Sequence, residues 1–194
     1  MSYDDRRLEV AAAAWRVIIR EGLDRASIRA IAQELGASTG VVTHYFRDKD
    51  ELTLFALERV FEKVIADMQA ATHDWQGLER LEHMLLSALP LNASGIPGWQ
   101  VWVAFLGYAI GRDHLMQEHR KRYDWLRQIL CKELATLQAA KLIHENLDLT
   151  FEANALIALV DGIGTGVVIN PEQFDAAQQQ YLVQRHLKIL SATS

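Results

Sequence analysis

Apolar residues recur at intervals of three and four along nearly the whole chain, which is the spacing of one face of an α-helix. No sustained alternation of apolar and polar residues indicates a β-strand. The first helical pattern, over about residues 5–21, predicts a helix that ends at Gly22. Its expected apolar face consists of Leu8, Ala11, Ala12, Trp15, Ile18 and Ile19. The chain is therefore expected to be all-α.

Two short helices joined by a tight turn are predicted in the segment SIRAIAQELGASTGVVTHYF. Ser27 and Ser38 each stand where a residue that caps a helix N-terminus is expected. In the second helix, Val42 and Phe46 lie about one turn apart and are expected to point inward. This pattern fits a helix-turn-helix of the kind that reads DNA, and also an ordinary helical hairpin inside an all-α protein.

A long helix from Lys49 to about residue 71 follows, opened by Asp48 as its capping residue. A final helix is expected to begin at Asn170-Pro171, with the proline in the first helical position. That final helical pattern covers residues 172–190, and the patterns before it cover residues 75–89, 98–111, 114–140 and 148–168. We therefore expect an N-terminal three-helix helix-turn-helix head, the DNA-binding domain, over residues 1–50. A larger helical body for ligand binding and dimerisation is expected over residues 51–194.

Composition restricts the possible functions. The net charge is −5, and residues 1–52 carry eight Lys and Arg against nine Asp and Glu, so any contact with DNA must be local. Cys131 is the only cysteine, which excludes an internal disulfide and favours a reducing compartment. The N-terminus lacks the apolar run of a signal peptide, and the longest apolar run, residues 101–110, is too short to span a bilayer. A cytoplasmic protein with no membrane segment is expected.

The outward residues of the second short helix suit a DNA groove. Small or polar side chains near a helix N-terminus let the backbone approach the bases closely, and Gly40 would otherwise cost about 1 kcal/mol relative to Ala. Donors at the edges of this surface are available for phosphates. The candidate DNA-binding residues are Ser27, Arg29, Ser38, Thr39, Gly40, Val41, Thr43, His44, Tyr45 and Lys49.

The segment SIRAIAQELGASTGVVTHYFRDKDEL resembles the DNA-binding region of TetR-family transcriptional repressors over roughly residues 5–55. Within that family, residues 38–49 resemble the BetI branch, the choline-responsive repressors of glycine-betaine synthesis. Many family members carry Tyr where this chain has Thr43, so a phosphate contact made there is expected to be missing or to move to Tyr45.

The resemblance implies a homodimer that binds double-stranded DNA at a palindromic operator and responds to a small-molecule effector. In the family the last two helices usually form a four-helix bundle across the two-fold axis. The apolar residues of the 148–168 segment fall on more than one helical face, which agrees with burial against both its own core and a partner. A larger monomer core is the alternative interpretation.

Aromatic residues cluster in the body and could enclose a quaternary ammonium group through cation–π attraction, with Asp161 as counter-charge. The candidate ligand-binding residues are Trp99, Trp102, Phe105, Tyr108, Trp125 and Asp161. Core packing of the aromatic rings is the alternative. An anion could instead be held by the basic residues Arg112 and His114 together with the run 119–122. The alternative is that this run forms a solvated helix face.

No catalytic or metal-binding motif stands out, and no cofactor is expected. The glycines of Gly162-Ile-Gly-Thr-Gly166 lack the strand and spacing of a dinucleotide fingerprint, and close packing is the favoured role. Two function classes remain: a ligand-responsive DNA-binding repressor, and an all-α enzyme or small-molecule carrier that uses the aromatic residues. Thr39, Gly40 and Thr43 favour the first class, because they have no role in the second.

Overall fold

The computed structural model describes residues 2–192, and within this range it contains nine α-helices and one isolated β-bridge, between Ile143 and Ser191. The expected all-α fold with a helix-turn-helix near its N-terminus is confirmed. The helices are α1 (Tyr3–Glu21), α2 (Ile28–Leu35), α3 (Thr39–Tyr45), α4 (Lys49–Thr72), α5 (Gly77–Ser87), α6 (Ile96–Ala109), α7 (Asp113–Ala139), α8 (Leu149–Ile169) and α9 (Ala176–Leu190).

Most helix boundaries fall within a few residues of those expected, but the start of α9 does not. Asn170 ends α8 instead of capping α9, and Pro171 lies in a turn that continues to Phe174. The capping residue is Asp175, whose carboxylate accepts a hydrogen bond of 2.8 Å from the backbone N–H of Gln178. The predicted start of this helix at Asn170-Pro171 is wrong, because asparagine and proline also occur commonly in turns.

The chain forms two compact units. Residues up to Lys63 and the segment Gln100–Gln117 belong to the first unit, and Val64–Trp99 with the residues from Glu118 onward belong to the second. Helix α4 therefore begins in one unit and ends in the other. The expected functional division at residue 50 stays a prediction.

The first unit has its core where α1, α2 and α3 pack together. Val10, Ala14 and Val17 of α1 are fully buried there. The apolar face expected for α1 was partly wrong, because Leu8 and Ile19 are exposed. Ala11 and Ile18 of the expected face are buried as predicted, whereas Ala12 is exposed. Alanines and valines make up most of the buried side of α1, because close helix packing favours short side chains.

The second unit has a separate core of leucine-rich helices, in which α5 packs against α9. Leu81, Leu134 and Leu156 are fully buried in it. Buried Gln179 of α9 donates hydrogen bonds from its side-chain amide to the backbone carbonyls of Phe174 and Pro90. These bonds fasten the segments before α9 and before α6 to the core.

The glycines of α8 admit aromatic rings. A Cβ atom on Gly164 would fall on the indole ring of Trp99, and one on Gly166 would lie 2.7 Å from the ring of Phe174. At Gly162 a Cβ atom would meet open space. Close packing therefore explains two of the three glycines, with side chains as the packing partners.

Candidate nucleic-acid interface

Helix α3 presents a small, polar, solvent-exposed face. Thr39, Gly40, Thr43 and His44 are all exposed, whereas Val42 on the opposite side is fully buried. The hydroxyl of Thr43 donates to the carbonyl of Thr39 at 3.2 Å, which keeps this side chain close to the helix. The exposed face thus carries small side chains at Thr39, Gly40 and Thr43, and the larger side chain of His44 lies near its C-terminal end.

The protein's own packing does not require the glycine at position 40. The nearest atom to a Cβ added there is the hydroxyl of Ser38 at 3.6 Å, an ordinary contact distance. A glycine within a helix costs about 1 kcal/mol relative to alanine. The contacts of Gly40 within the protein therefore do not account for a glycine at this position.

The two serines at the helix starts differ in what their hydroxyls do. Ser27 accepts a hydrogen bond of 3.1 Å from the backbone N–H of Ala30, as expected of a capping residue. Ser38 occupies the capping position of α3 but makes no side-chain cap bond, and it is exposed. The Ser38 hydroxyl is therefore available to an external acceptor such as a phosphate.

Lys49, Arg29 and Tyr45 belong to the same unit as the exposed face of α3. Arg29 is exposed and Tyr45 is half-buried. The ammonium group of Lys49 donates to the backbone carbonyl of Asp24 at 3.2 Å and lies 5.0 Å from the ring centre of Tyr108. Burial lowers the pKa of Lys49 from its ordinary value. Val41, the remaining candidate, is half-buried beside the exposed residues of α3.

Tyr3 is a neighbour of this face that the sequence did not indicate. Its ring centre lies 4.9 Å from that of Tyr45 and 6.3 Å from that of His44. The His44 and Tyr45 rings are themselves 4.8 Å apart and nearly perpendicular. Residues about 40 positions apart in the chain meet here, and only the packing of α1 on α3 brings them together.

Among the aromatic ligand candidates, Trp102, Phe105 and Tyr108 lie on α6 in the first unit. Phe105 is buried, and the other two are half-buried against the same cluster. The Tyr108 hydroxyl donates to Asp50 at 2.7 Å, and the guanidinium of Arg112 lies 3.9 Å from the Tyr108 ring centre. Burial and the bond to Asp50 raise the pKa of Tyr108 to about 12. The Tyr108 ring already contacts cations of the protein itself.

In the second unit, the carboxylate of Asp161 accepts a hydrogen bond from the hydroxyl of Tyr123. Burial raises the pKa of Asp161 above its usual range, and the Tyr123 bond opposes that shift. His119 packs against Tyr123, and burial lowers its pKa to about 4, with a contribution from the charge of Arg122. At neutral pH the His119 imidazole is therefore uncharged.

The ring of Trp99, near the start of α6, lies against Gly164 of α8, which follows Asp161 by about one helical turn. The Trp99 indole N–H donates to the carbonyl of Ala88 at 3.0 Å, which fixes the ring. Trp125 of α7 is half-buried in the same unit. Trp99, Trp125 and Asp161 therefore belong to the second unit, and the other three candidates on α6, Trp102, Phe105 and Tyr108, belong to the first. Among the described residues, no group of three or more His, Cys, Asp or Glu could hold a metal ion.

The short helix α3 is exposed, follows the capped helix α2 and carries small residues on its outer face. These features are typical of a helix-turn-helix DNA-binding protein. Comparison with known proteins agrees. Residues 10–54 match the family model described as bacterial regulatory proteins, tetR family. Residues 77–192 match the model described as BetI-type transcriptional repressor, C-terminal. The chain belongs to the TetR family of transcriptional regulators, as its sequence led us to expect.

Relatives of similar length support this assignment. The chain is 32% identical to the HTH-type transcriptional regulator PksA of Bacillus subtilis, over 97% of this chain and 91% of that protein. It is 29% identical to the HTH-type transcriptional regulator BetI of Vibrio vulnificus, over 94% and 91%. Because these relatives are transcriptional regulators, the comparison favours the repressor class over the all-α enzyme or carrier. Ligand-responsive repression is typical of the family.

Solved structures share the fold. A transcriptional regulator from Rhodococcus sp. superposes with a TM-score of 0.85 at 25% identity, covering 95% of each chain. A transcriptional regulator from Saccharomonospora viridis, solved in complex with choline, gives a TM-score of 0.86 at 24% identity, covering 95% of this chain and 96% of that one.

The two serines offer a matched test of structure against binding. Ser27→Ala is expected to lower the free energy of unfolding by about 1 kcal/mol, because it removes a cap hydrogen bond. Ser38→Ala is expected to change stability by less than about 0.5 kcal/mol and to weaken DNA binding. Urea unfolding and fluorescence anisotropy on DNA measure the two effects. Equal losses of stability in both variants would contradict this assignment.

Proposed function

We propose that this protein is a cytoplasmic, dimeric repressor that inserts α3 into the major groove of a palindromic operator and leaves it when a cationic small molecule binds. The observation that carries the proposal is Gly40, a glycine in the first turn of α3 on an exposed face, where a Cβ atom would meet only an ordinary contact. The relatives are bacterial regulators of transcription, which supports the same conclusion.

Two roles are assigned within the DNA surface. Thr39, Gly40, Thr43 and His44 face the base edges, because they form the exposed small side of α3. The phosphate contacts are assigned to the candidate residues around that side of α3 that carry hydrogen-bond donors. Val41 is assigned a packing role beside the exposed residues of α3. The residues assigned phosphate contacts are Ser27, Arg29, Ser38, Tyr45 and Lys49.

Salt dependence separates the two roles. Lys49→Ala should weaken binding to all DNA sequences alike and reduce the slope of log affinity against log salt by about 1, because one phosphate contact is lost. Thr39→Ala and His44→Ala should change the preference among operator variants. Fluorescence anisotropy on a selected operator and its single-base variants, at several salt concentrations, measures both. Uniform losses from all three variants would refute the division of roles.

The outward faces of α8 and α9 are proposed as the dimer interface. Phe151 and Ile169 of α8 are 66% and 77% exposed, and Tyr181 and Ile189 of α9 are 58% and 65% exposed. Between the two large residues of α8, exposed Ala158 and Gly162 lie on the same face and would let a partner helix approach closely. Large apolar side chains on adjacent helices are typical of an interface.

The apolar character of α8 has the same explanation. Within the described residues, α8 is the one helix long and apolar enough to cross a membrane by length and composition. It nevertheless carries the half-buried carboxylates of Glu152 and Asp161 and packs one side into the core of its unit. A helix buried between its own core and a partner subunit needs apolar residues on both sides.

A charge placed on the α8 face should separate the subunits. Ala158→Lys would bury an unpaired ammonium group in the interface, and we expect a monomer with at least tenfold weaker operator binding, because two half-sites are no longer read together. Gln128→Lys, which adds the same charge at an exposed position of α7, is the control. Sedimentation velocity gives the oligomeric state. A variant that remains dimeric at micromolar concentration would exclude this face.

The effector is proposed to be a small cation held at Asp161, with Tyr123 and Trp99 beside it. These three residues lie in one unit, and a cation would offset the desolvation of the Asp161 carboxylate. The choline complex of the Saccharomonospora viridis regulator makes choline the first probe. Trp102, Phe105, Tyr108 and Trp125 stay predicted ligand residues.

Removing the carboxylate charge should abolish the response. Choline should raise the melting temperature of the wild type and release its operator, and Asp161→Asn should weaken choline binding at least tenfold. Asp74→Asn, at an exposed site of the same unit, is the control for loss of charge. Calorimetry should show weaker binding as pH falls, because protonation of Asp161 removes the counter-charge. A wild-type response to choline that Asp161→Asn retains would overturn the site.

A further inference from the structure

The three-ring cluster of Tyr3, His44 and Tyr45 joins the first turn of α1 to the last turn of α3. Tyr3 contacts Tyr45 with ring centres 4.9 Å apart and His44 edge-on at 6.3 Å. Tyr3 is 53% exposed, so core burial does not account for its aromatic ring. The cluster lies beside the exposed face of α3.

The first turn of α1 is a firm anchor for this ring. The Ser2 hydroxyl accepts from the backbone N–H of Asp5 at 3.0 Å, and the Asp5 carboxylate accepts from the backbone N–H of Ser2 at 2.8 Å. This reciprocal capping box holds the turn that carries Tyr3. Beyond it, Val10 and Val17 bury α1 in the core of the same unit.

The side chains at the end of α3 have no such anchor within their own helix. Helix α3 has seven residues, and His44 and Tyr45 are its last two. His44 is exposed, so its ring would otherwise sample several rotamers, and each would present different atoms to a base pair. Contact with a ring fixed on α1 reduces that choice.

We propose that Tyr3 is a positioning residue that orients His44 and Tyr45 and thereby sets the base preference of α3. This inference rests on the proposed function, in which α3 reads the operator. The ring of Tyr3 does the positioning, and the hydroxyl is not needed. Tyr3→Phe should therefore behave as the wild type.

The experiment compares four proteins on the selected operator and its single-base variants by fluorescence anisotropy: the wild type, Tyr3→Phe, Tyr3→Ala and Leu8→Ala. Leu8→Ala is the control, because Leu8 is an exposed apolar residue of α1 outside the cluster. Tyr3→Ala should lower discrimination at one or two base pairs by about two- to tenfold, the range that aromatic pair energies give. Tyr3→Phe and Leu8→Ala should retain it, and circular dichroism should show all four folded.

A second comparison identifies the path of the effect. In a His44→Ala background, adding Tyr3→Ala should cause no further loss at the base pair that His44 reads, because the positioned ring is gone. Additive losses would overturn the proposal, and so would equal losses in Tyr3→Phe and Tyr3→Ala, which would indicate a direct contact by the hydroxyl. If the wild type shows no sequence preference, the proposed function fails. If the wild type shows a sequence preference and Tyr3→Ala retains it, this inference alone fails.

Discussion

The surface of α3 that is proposed to read DNA depends on the burial of two side chains, Val42 and Phe46. Helix α3 has seven residues, whereas isolated helices shorter than about 12–15 residues are marginal in water. Val42 within α3 and Phe46 at its end are fully buried in the core of the first unit, so tertiary packing keeps the helix formed. The guanidinium of Arg7 lies 4.9 Å from the Phe46 ring centre and bonds to Glu51, which ties α1 to the start of α4 around this anchor.

The start of α4 carries a second set of contacts, which bear on how the proposed repressor would leave its operator. Asp50 accepts from the Tyr108 hydroxyl through one carboxylate oxygen, and its other oxygen lies 2.9 Å from the imidazole of His114. Asp50 directly follows Lys49, whose ammonium group lies over the Tyr108 ring. A displacement of the α6–α7 segment would therefore shift Asp50 and, with it, the neighbouring Lys49, which is a proposed phosphate contact. An effector acts on this linkage only to the extent that it binds one arrangement more tightly.

The sequence predicted those parts of the fold that depend on local signals. Ser27 as the cap of α2 and the inward positions of Val42 and Phe46 follow from residue type and helical spacing, and both predictions are confirmed. Features set by tertiary packing were missed. Alanines and valines form the buried side of α1 while Leu8 is exposed, and Tyr3 meets α3 across about 40 residues of chain.

The proposed effector site follows from the energetics of one carboxylate. Burial opposes ionisation of Asp161, and the hydrogen bond from the Tyr123 hydroxyl favours it. A cation at this position would favour the ionised form, and the free energy that desolvation costs the empty site would then contribute to binding. Gly164 matters for the same reason, since only glycine lets the Trp99 ring lie against α8 one turn from the carboxylate. The proposed site would favour a quaternary ammonium group over an anion, because a carboxylate repels anions and an aromatic face attracts cations.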